Sequence, residues 1–168
     1  MKLLILGGGM FLGAATLHAA VARGHQVTVF NRGRVRQNWP DGVEVLLGDR
    51  DSDAELSALV ARAWDAVVDT CGYLPRQLRA SSAALQGCGC YLFVSSVSVY
   101  ASFARRSIGE DEPLADASAI DPEDRSAAAY GAQKAGADKM AADMAKELRP
   151  HGVAAVSIWM GGLDTERA

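Results

Sequence analysis

Tyr130 and Lys134 stand four residues apart in the run Tyr130-Gly131-Ala132-Gln133-Lys134. On a helix that spacing puts both side chains on one face. An ammonium beside a phenol favours the phenolate and so lowers the pKa of the phenol. A tyrosine tuned in this way can exchange a proton with a carbonyl or alcohol oxygen. A second group lies at the start of the chain, in Gly7-Gly8-Gly9-Met10-Phe11-Leu12-Gly13. Glycines there permit a tight turn and the close approach of a pyrophosphate. A helix starting behind them would offer its free N–H groups and positive dipole end to that anion. Together the two groups imply a proton-transferring tyrosine beside a bound dinucleotide that gives or takes hydride.

The elements that must hold these groups are legible as an alternation. Short apolar runs predict strands at residues 2–6, 26–30, 43–47, 66–69, 91–95 and 153–158. Helices fall between them. One covers residues 11–23, with Gly24 as its stop. A second is opened by a capping box of Ser52 and Glu55, with Leu56, Leu59, Val60 and Ala63 on its apolar face. A third runs over 75–85, with Pro75 suited to its first turn. A fourth runs over 128–148, with Ala137, Met140, Ala141, Met144, Ala145 and Leu148 as its stripe and Pro150 at its end. The polar stretch 102–126 reads as a loop with one helical turn at most. Apolar strands alternating with helices require a parallel sheet covered on both faces. Right-handed crossovers then predict an α/β, doubly wound, Rossmann-like sheet of about six strands in the order 3-2-1-4-5-6. Ligands bind beyond the carboxyl ends of such strands, where Gly7, Asn31, Asp69 and Ser95 all fall.

Bulk properties narrow the function. The chain has 168 residues, 49% hydrophobic and 22% charged, with a net charge of −3. That length suits one domain, a single NAD(P)-binding unit over 1–168 with no separate substrate domain. The acidic balance argues against a nucleic-acid partner. The apolar runs are too short for a bilayer and the N-terminus lacks signal-peptide pattern, so a cytoplasmic protein is expected. Cys71, Cys88 and Cys90 have no metal-site or disulfide-framework spacing, and no metal is expected. His18, His25 and His151 are scattered and read as surface residues.

The cofactor type turns on the end of the second strand. An acid there would bind the adenine ribose and favour NAD. This chain has Asn31-Arg32-Gly33-Arg34 instead. Arg32 or Arg34 could bind a 2′-phosphate through forked hydrogen bonds, so NADP is expected over NAD. The other reading of these arginines is solvated loop charge.

GGGMFLG followed by VTVFNRGR resembles the start of extended and atypical members of the short-chain dehydrogenase/reductase (SDR) superfamily, whose loop reads GxxGxxG. Gly7 and Gly13 match its first and last glycines, and Met10 replaces the middle one. The resemblance implies a cofactor cleft formed by Gly7, Gly9, Met10, Phe11, Leu12, Gly13, Asn31, Arg32 and Arg34. It adds Thr70 and Cys71 after the fourth strand. Asp49, in GDRD, is similar to the family's acid near the adenine, although a surface-turn role fits it nearly as well. Cys71 fits a buried structural thiol better than a cofactor contact. The run Ser95-Ser96-Val97-Ser98-Val99-Tyr100 resembles the pattern ending strand five. It implies Ser96 as the catalytic serine, with Ser95 and Ser98 as fallbacks. In that family Tyr130 is the acid/base, and Lys134 both tunes it and binds the nicotinamide ribose.

The resemblance changes along the chain. Residues 1 to about 125 are similar to atypical extended members, in the epimerase/dehydratase branch. Residues 130–168 are similar to short-form members, where Thr165 matches a threonine that touches the carboxamide. The chain ends soon after strand six, which implies a mosaic, a recombined chain or a truncation. The expected function is NADPH-dependent reduction of a small carbonyl or oxidation of an alcohol, in a homodimer. The rivals are a sugar-nucleotide epimerase or dehydratase, a non-catalytic NADP-binding sensor or scaffold, and an RNA-binding use of the scaffold.

Overall fold

The computed structural model describes residues 1–34, 38–104, 109 and 111–158. Among them six strands form one parallel sheet, in the order β3-β2-β1-β4-β5-β6. The strands are β1 (Lys2–Leu6), β2 (Gln26–Asn31), β3 (Glu44–Leu47), β4 (Ala66–Asp69), β5 (Cys90–Val94) and β6 (Ala154–Ile158). Helices α1 (Phe11–Ala22), α2 (Asp53–Val60), α3 (Pro75–Ala84) and α4 (Tyr130–Leu148) connect them. The expected doubly wound order is the observed one, and each strand lies within one residue of its expected bounds.

The central strands read as unbroken apolar runs because both of their faces are covered. On one face Leu4, Leu6, Val67, Tyr91 and Phe93 pack against Leu56 and Leu59 of α2, Leu78 of α3, and Ala137, Ala141 and Met144 of α4. On the other, Leu3, Ile5, Val27 and Val29 pack against Leu17 and Ala20 of α1. Further along this second face, Leu92 and Val94 are half-buried, while Val156 and Ile158 of the edge strand are exposed. No helix among the described residues is long and apolar enough to cross a membrane.

Two local expectations need correction. Ser52 caps α2, its Oγ accepting from the Glu55 N–H, but the Glu55 carboxylate turns away to accept from the Asp49 N–H at 2.8 Å. Only half of a capping box forms, and its other half braces the turn after β3. Val60 is exposed and Ala63 lies past the helix end, because eight residues give α2 one narrow stripe, Leu56 and Leu59. The stretch 102–126 keeps to its expected form, a loop with one helical turn at most: it holds turns and an isolated bridge between Tyr100 and Leu114, with no helical turn among its described residues.

The first turn of α4 rests against the short 3-10 turn Val97–Val99 that follows β5. A Cβ at Gly131 would collide with the Ser98 carbonyl oxygen. Glycine beside Tyr130 is therefore required by close approach of two backbones. Gly131→Ala is expected to lower stability by about 1–3 kcal/mol, read as a shift in urea midpoint. Gly87→Ala, where an added Cβ meets nothing within 4 Å, is the control and should change it by less than about 0.5 kcal/mol.

Candidate functional site

At the carboxyl ends of β1, β2 and β4 lies a cleft of about 340 Å³. Gly7, Gly9, Met10, Phe11, Leu12 and Gly13 form one wall, and Asn31, Arg32, Arg34, Thr70 and Cys71 complete it. Gly7 and Gly8 have φ of 107° and 78°, conformations that glycine adopts without penalty. A Cβ at Gly7 would lie 2.5 Å from Thr70 Oγ1, and one at Gly13 would lie 2.8 Å from the Gly8 nitrogen. The loop is thus packed against its neighbours and leaves its outer side to the cleft.

Met10 is the N-cap of α1, with φ −153° and ψ 156°. That is extended backbone, which any residue adopts, so the missing middle glycine imposes no conformational cost. The strained residue is Phe11, at φ 46°. Met10 contributes no side-chain cap and no acidic residue stands in the first turn, so the helix start keeps its positive character for an anion.

Beyond β2, Asn31 Oδ1 accepts from the Gly33 N–H at 2.7 Å, while its Nδ2 is buried without a partner. Among the described residues, no acceptor meets this donor. The unpartnered amide and the glycine cradle fit the adenosine and pyrophosphate parts of a dinucleotide. Arg32 points to the carboxylate of Asp49, 4.0 Å away. The end of β2 itself lacks an acid, but the neighbouring turn after β3 supplies one. The expectation that the end of β2 carries no acid therefore holds, and Asp49 lies beside Arg32. Asp49 also accepts from the Asp51 N–H at 3.0 Å, so it shapes its own turn as well.

Beneath this region runs a buried ionic network that sequence reasoning missed. Asp69, at the end of β4, is fully buried, and Arg50, which follows Asp49, is 7% exposed. The guanidinium grips the carboxylate with both arms, at 2.6 and 2.9 Å. It also donates to the Gln77 carbonyl and to Ser81 Oγ, each at 3.1 Å. Tyr91 donates to Asp69 at 2.8 Å. Burial alone would raise the Asp69 carboxyl, but the Arg50 charge and the hydrogen bonds from Arg50 and Tyr91 hold it below its ordinary value. Cys71 sits above the network, half-buried, with Sγ 3.5 Å from Arg50 Nη1, and burial raises its thiol. It is a thiol that lines the cleft, where a wholly buried structural one was the stronger expectation. The available signal was Asp69 itself, a charge closing an apolar strand that is covered on both sides.

Tyr130 and Lys134 come together as their spacing requires. Lys134 is 3% exposed and donates to the Gly72 and Val94 carbonyls, at 2.6 and 3.1 Å. Its Nζ lies 6.0 Å from the centre of the Tyr130 ring, 5.3 Å from that of Tyr73 and 4.7 Å from that of Phe93. Tyr73, missed by sequence reasoning, faces Tyr130 with ring centres 6.3 Å apart, and it lines the glycine cleft as well. Ser96 caps the 3-10 turn. Its hydroxyl is 3.1 Å from Ser98 Oγ and accepts from the Ser98 N–H at 3.2 Å, so it is bonded to Ser98 rather than to Tyr130. Ser95 is engaged elsewhere, donating to Asp138 at 2.8 Å. Thr165 lies outside the described residues.

Burial pushes the Lys134 ammonium down from 10.5 to about 8, against the pull of the Asp69 and Asp138 charges. The unfolded chain keeps this proton up to its ordinary value, while the folded one releases it near 8. Between those values the unfolded state binds more protons, so this group's contribution to stability rises with pH. Wild type should therefore gain urea resistance relative to Lys134→Met between about pH 8 and about pH 10. An unchanged difference across that window would contradict the depressed ammonium.

The sequence pattern of the NAD dependent epimerase/dehydratase family matches residues 3–158. The chain is 31% identical over 138 residues to the chloroplast stem-loop binding protein of 41 kDa b of Arabidopsis thaliana, covering 74% of this chain and 35% of that protein. It is 60% identical over 37 residues to dehydrogenase/reductase SDR family member 1 of Homo sapiens, which is 22% of this chain and 12% of that one. In fold it is similar to UDP-glucose 4-epimerase from Brucella ovis in complex with NAD, with a TM-score of 0.72 and 22% identity, covering 94% of this chain and 51% of the epimerase. The chain thus spans about a third of the Arabidopsis protein and about half of the epimerase. With a match over residues 3–158 and the sheet order and glycine cleft described above, the chain belongs to the NAD-dependent epimerase/dehydratase family, the extended branch of the SDR superfamily.

Proposed function

We propose that the protein is an NADPH-preferring oxidoreductase acting on a small carbonyl or alcohol. The observation that carries this reading is the Tyr130–Lys134 pair, set by α4 against the ends of β4 and β5 next to the glycine cleft. The bound nicotinamide cofactor would supply or accept hydride. The cradle of Gly7 and Gly13 and the start of α1 would hold its pyrophosphate, and Asn31 its adenosine. Arg32 and Arg34 would attract a 2′-phosphate, with Arg32 exchanging its long contact to Asp49 for the phosphate.

Tyr130 would give its proton to a carbonyl oxygen during reduction, or take one from an alcohol during oxidation. Lys134 is one of the most buried cations here, and its Nζ stands 6.0 Å from the centre of the Tyr130 ring. Its two carbonyl acceptors fix Nζ in place, and that pre-organises the pair. Ser96 would orient the substrate oxygen by turning its hydroxyl from Ser98 to the substrate.

The second reading is epimerisation or dehydration of a nucleotide-linked sugar, which family membership favours. It uses the same tyrosine and lysine. The name of the Arabidopsis relative raises stem-loop RNA as a ligand, and the net charge of −3 counts against that.

Two measurements test the main reading. Tyr130→Phe should reduce turnover of a small carbonyl by at least roughly 100-fold while NADPH affinity, followed by nicotinamide fluorescence, stays within about twofold. Equal loss of both would remove the acid/base role. Arg32→Ala combined with Arg34→Ala should weaken NADPH by roughly tenfold or more and leave NADH nearly unchanged. An unmoved preference would assign the two arginines to solvent.

A further inference from the structure

The loop that leads into α4 carries Arg125, which lines both the small cavity beside Tyr130 and a second cavity at the ends of β2 and β3. Arg125, five residues before Tyr130, donates from Nη2 to Asp51 at 2.8 Å. Arg76 of α3 holds the other oxygen of that carboxylate at 2.9 Å, and Gln77 donates to the same oxygen at 2.8 Å. Arg76 also pairs with Glu123 at 2.5 Å. Gln133, buried in the first turn of α4, donates to the carbonyls of Asp121 and Asp124, at 2.7 and 3.1 Å. Residues 121–126 are thus tied to the turn after β3, to α3 and to α4.

These ties bring Arg125 to the wall of a cavity of about 170 Å³, opposite residues that end β2 and β3. Asn31, Arg32, Asp49, Arg50 and Tyr73 form much of the rest. Two buried atoms of this lining lack hydrogen-bond partners, Asn31 Nδ2 and Arg50 Nε, and Arg50 is nine-tenths buried. Both are donors, so the missing groups are acceptors. The cavity adjoins the glycine cleft and shares Gly7, Asn31, Arg32, Cys71 and Tyr73 with it. A dinucleotide whose pyrophosphate lies on the glycine loop has its purine within reach of this cavity. A purine offers ring-nitrogen acceptors at its edge and a π face to a planar guanidinium.

We propose that Arg125 is a cofactor-recognition residue, whose guanidinium closes the base cavity over the adenine of the dinucleotide. This rests on the dinucleotide-binding reading above. Asp51 then has a definite role: it holds the guanidinium at the cavity by one arm and leaves the rest of the fork to the base. The same loop that introduces Tyr130 thereby carries one wall of the adenine site.

The test is calorimetric titration of the full chain with ADP-ribose and with 2′-phospho-ADP-ribose, which contain the adenosine half but no nicotinamide. Arg125→Ala should weaken both by the same factor, roughly tenfold, the size of a partly desolvated cation–π contact. Arg125→Lys, which keeps the pairing with Asp51 but loses the planar fork, should recover only part of that affinity. Arg76→Ala loosens the ties that hold the loop but removes no group from the cavity, so its loss should be clearly smaller than that of Arg125→Ala. Wild-type binding by Arg125→Ala, or equal losses in Arg125→Ala and Arg76→Ala, would make Arg125 a loop anchor only and overturn the proposal. A loss confined to the 2′-phosphorylated ligand would assign Arg125 to phosphate and overturn it too. A folded wild-type chain that binds neither ligand would instead refute the dinucleotide reading, and the proposal with it.

Discussion

The carboxylate of Asp69 has no exposure and sits where the central strands of the sheet end. An ionised group in that position is tolerable only when it is paired and fully hydrogen-bonded. Arg50 supplies the pairing through two arms, and Tyr91 adds a third contact. The arrangement joins four separate pieces of chain: the turn after β3, the end of β4, the middle of α3 through Gln77 and Ser81, and β5 through Tyr91. Removing either member would strand a buried charge, a loss of about 3–5 kcal/mol in comparable pairs. Its value is positional as much as energetic. The segments that line the cleft, Asp49 to Asp51 and Cys71 to Tyr73, leave directly from the two clamped residues. Their geometry is inherited from the ion pair.

A second buried charge repeats this logic on α4. Tyr130, Lys134 and Asp138 fall at intervals of four and share one face of the helix, turned to the strand ends. Lys134 reaches the carbonyls of Gly72 and Val94, which belong to the segments leaving β4 and β5. Asp138 accepts from Ser95 and from Ser157, and so fastens α4 to β5 and β6. The helix that carries the tyrosine is therefore seated by polar contacts at the carboxyl ends of the strands and by Ala137, Ala141 and Met144 behind them. The two alanines let the helix lie close to the sheet. Gly131 does the same at its first turn, where the backbone of Ser98 leaves no room for a Cβ.

The two cationic devices differ in what they make available. Arg50 is neutralised in place and leaves one buried nitrogen, Nε, without a partner among the described residues. Lys134 is satisfied by neutral carbonyls and keeps its charge among aromatic rings, with Tyr130 and Tyr73 both within reach of its field. One leaves a donor for a ligand edge, and the other places a cation among aromatic rings. Between them, Tyr73 lines the glycine cleft, the base cavity and the small cavity beside Tyr130.

Much of this was readable from the sequence because the relevant signals are local. Strand bounds, the sheet order, the glycine turn, the stop at Gly24 and the pairing of Tyr130 with Lys134 follow from periodicity, backbone conformational demands and helical spacing, which act over a few residues. The resemblance added Thr70, Cys71 and Asp49; Thr70 and Cys71 line the glycine cleft, and Asp49 lines the cavity beside it. The geometry of Ser96 was less legible, because its hydroxyl partner, Ser98, depends on a 3-10 turn that strand patterning does not reveal. Only the tertiary structure decided that Asp49 approaches Arg32, that Asp69 needs Arg50, that Tyr73 faces Tyr130 and that Arg125 reaches Asp51. The last two partners lie 57 and 74 residues apart in sequence (Asp51 and Arg125 by 74). No local pattern encodes such pairs. They exist because a parallel sheet gathers the carboxyl ends of all its strands at one edge, so that chemistry scattered along the chain converges where the strands stop.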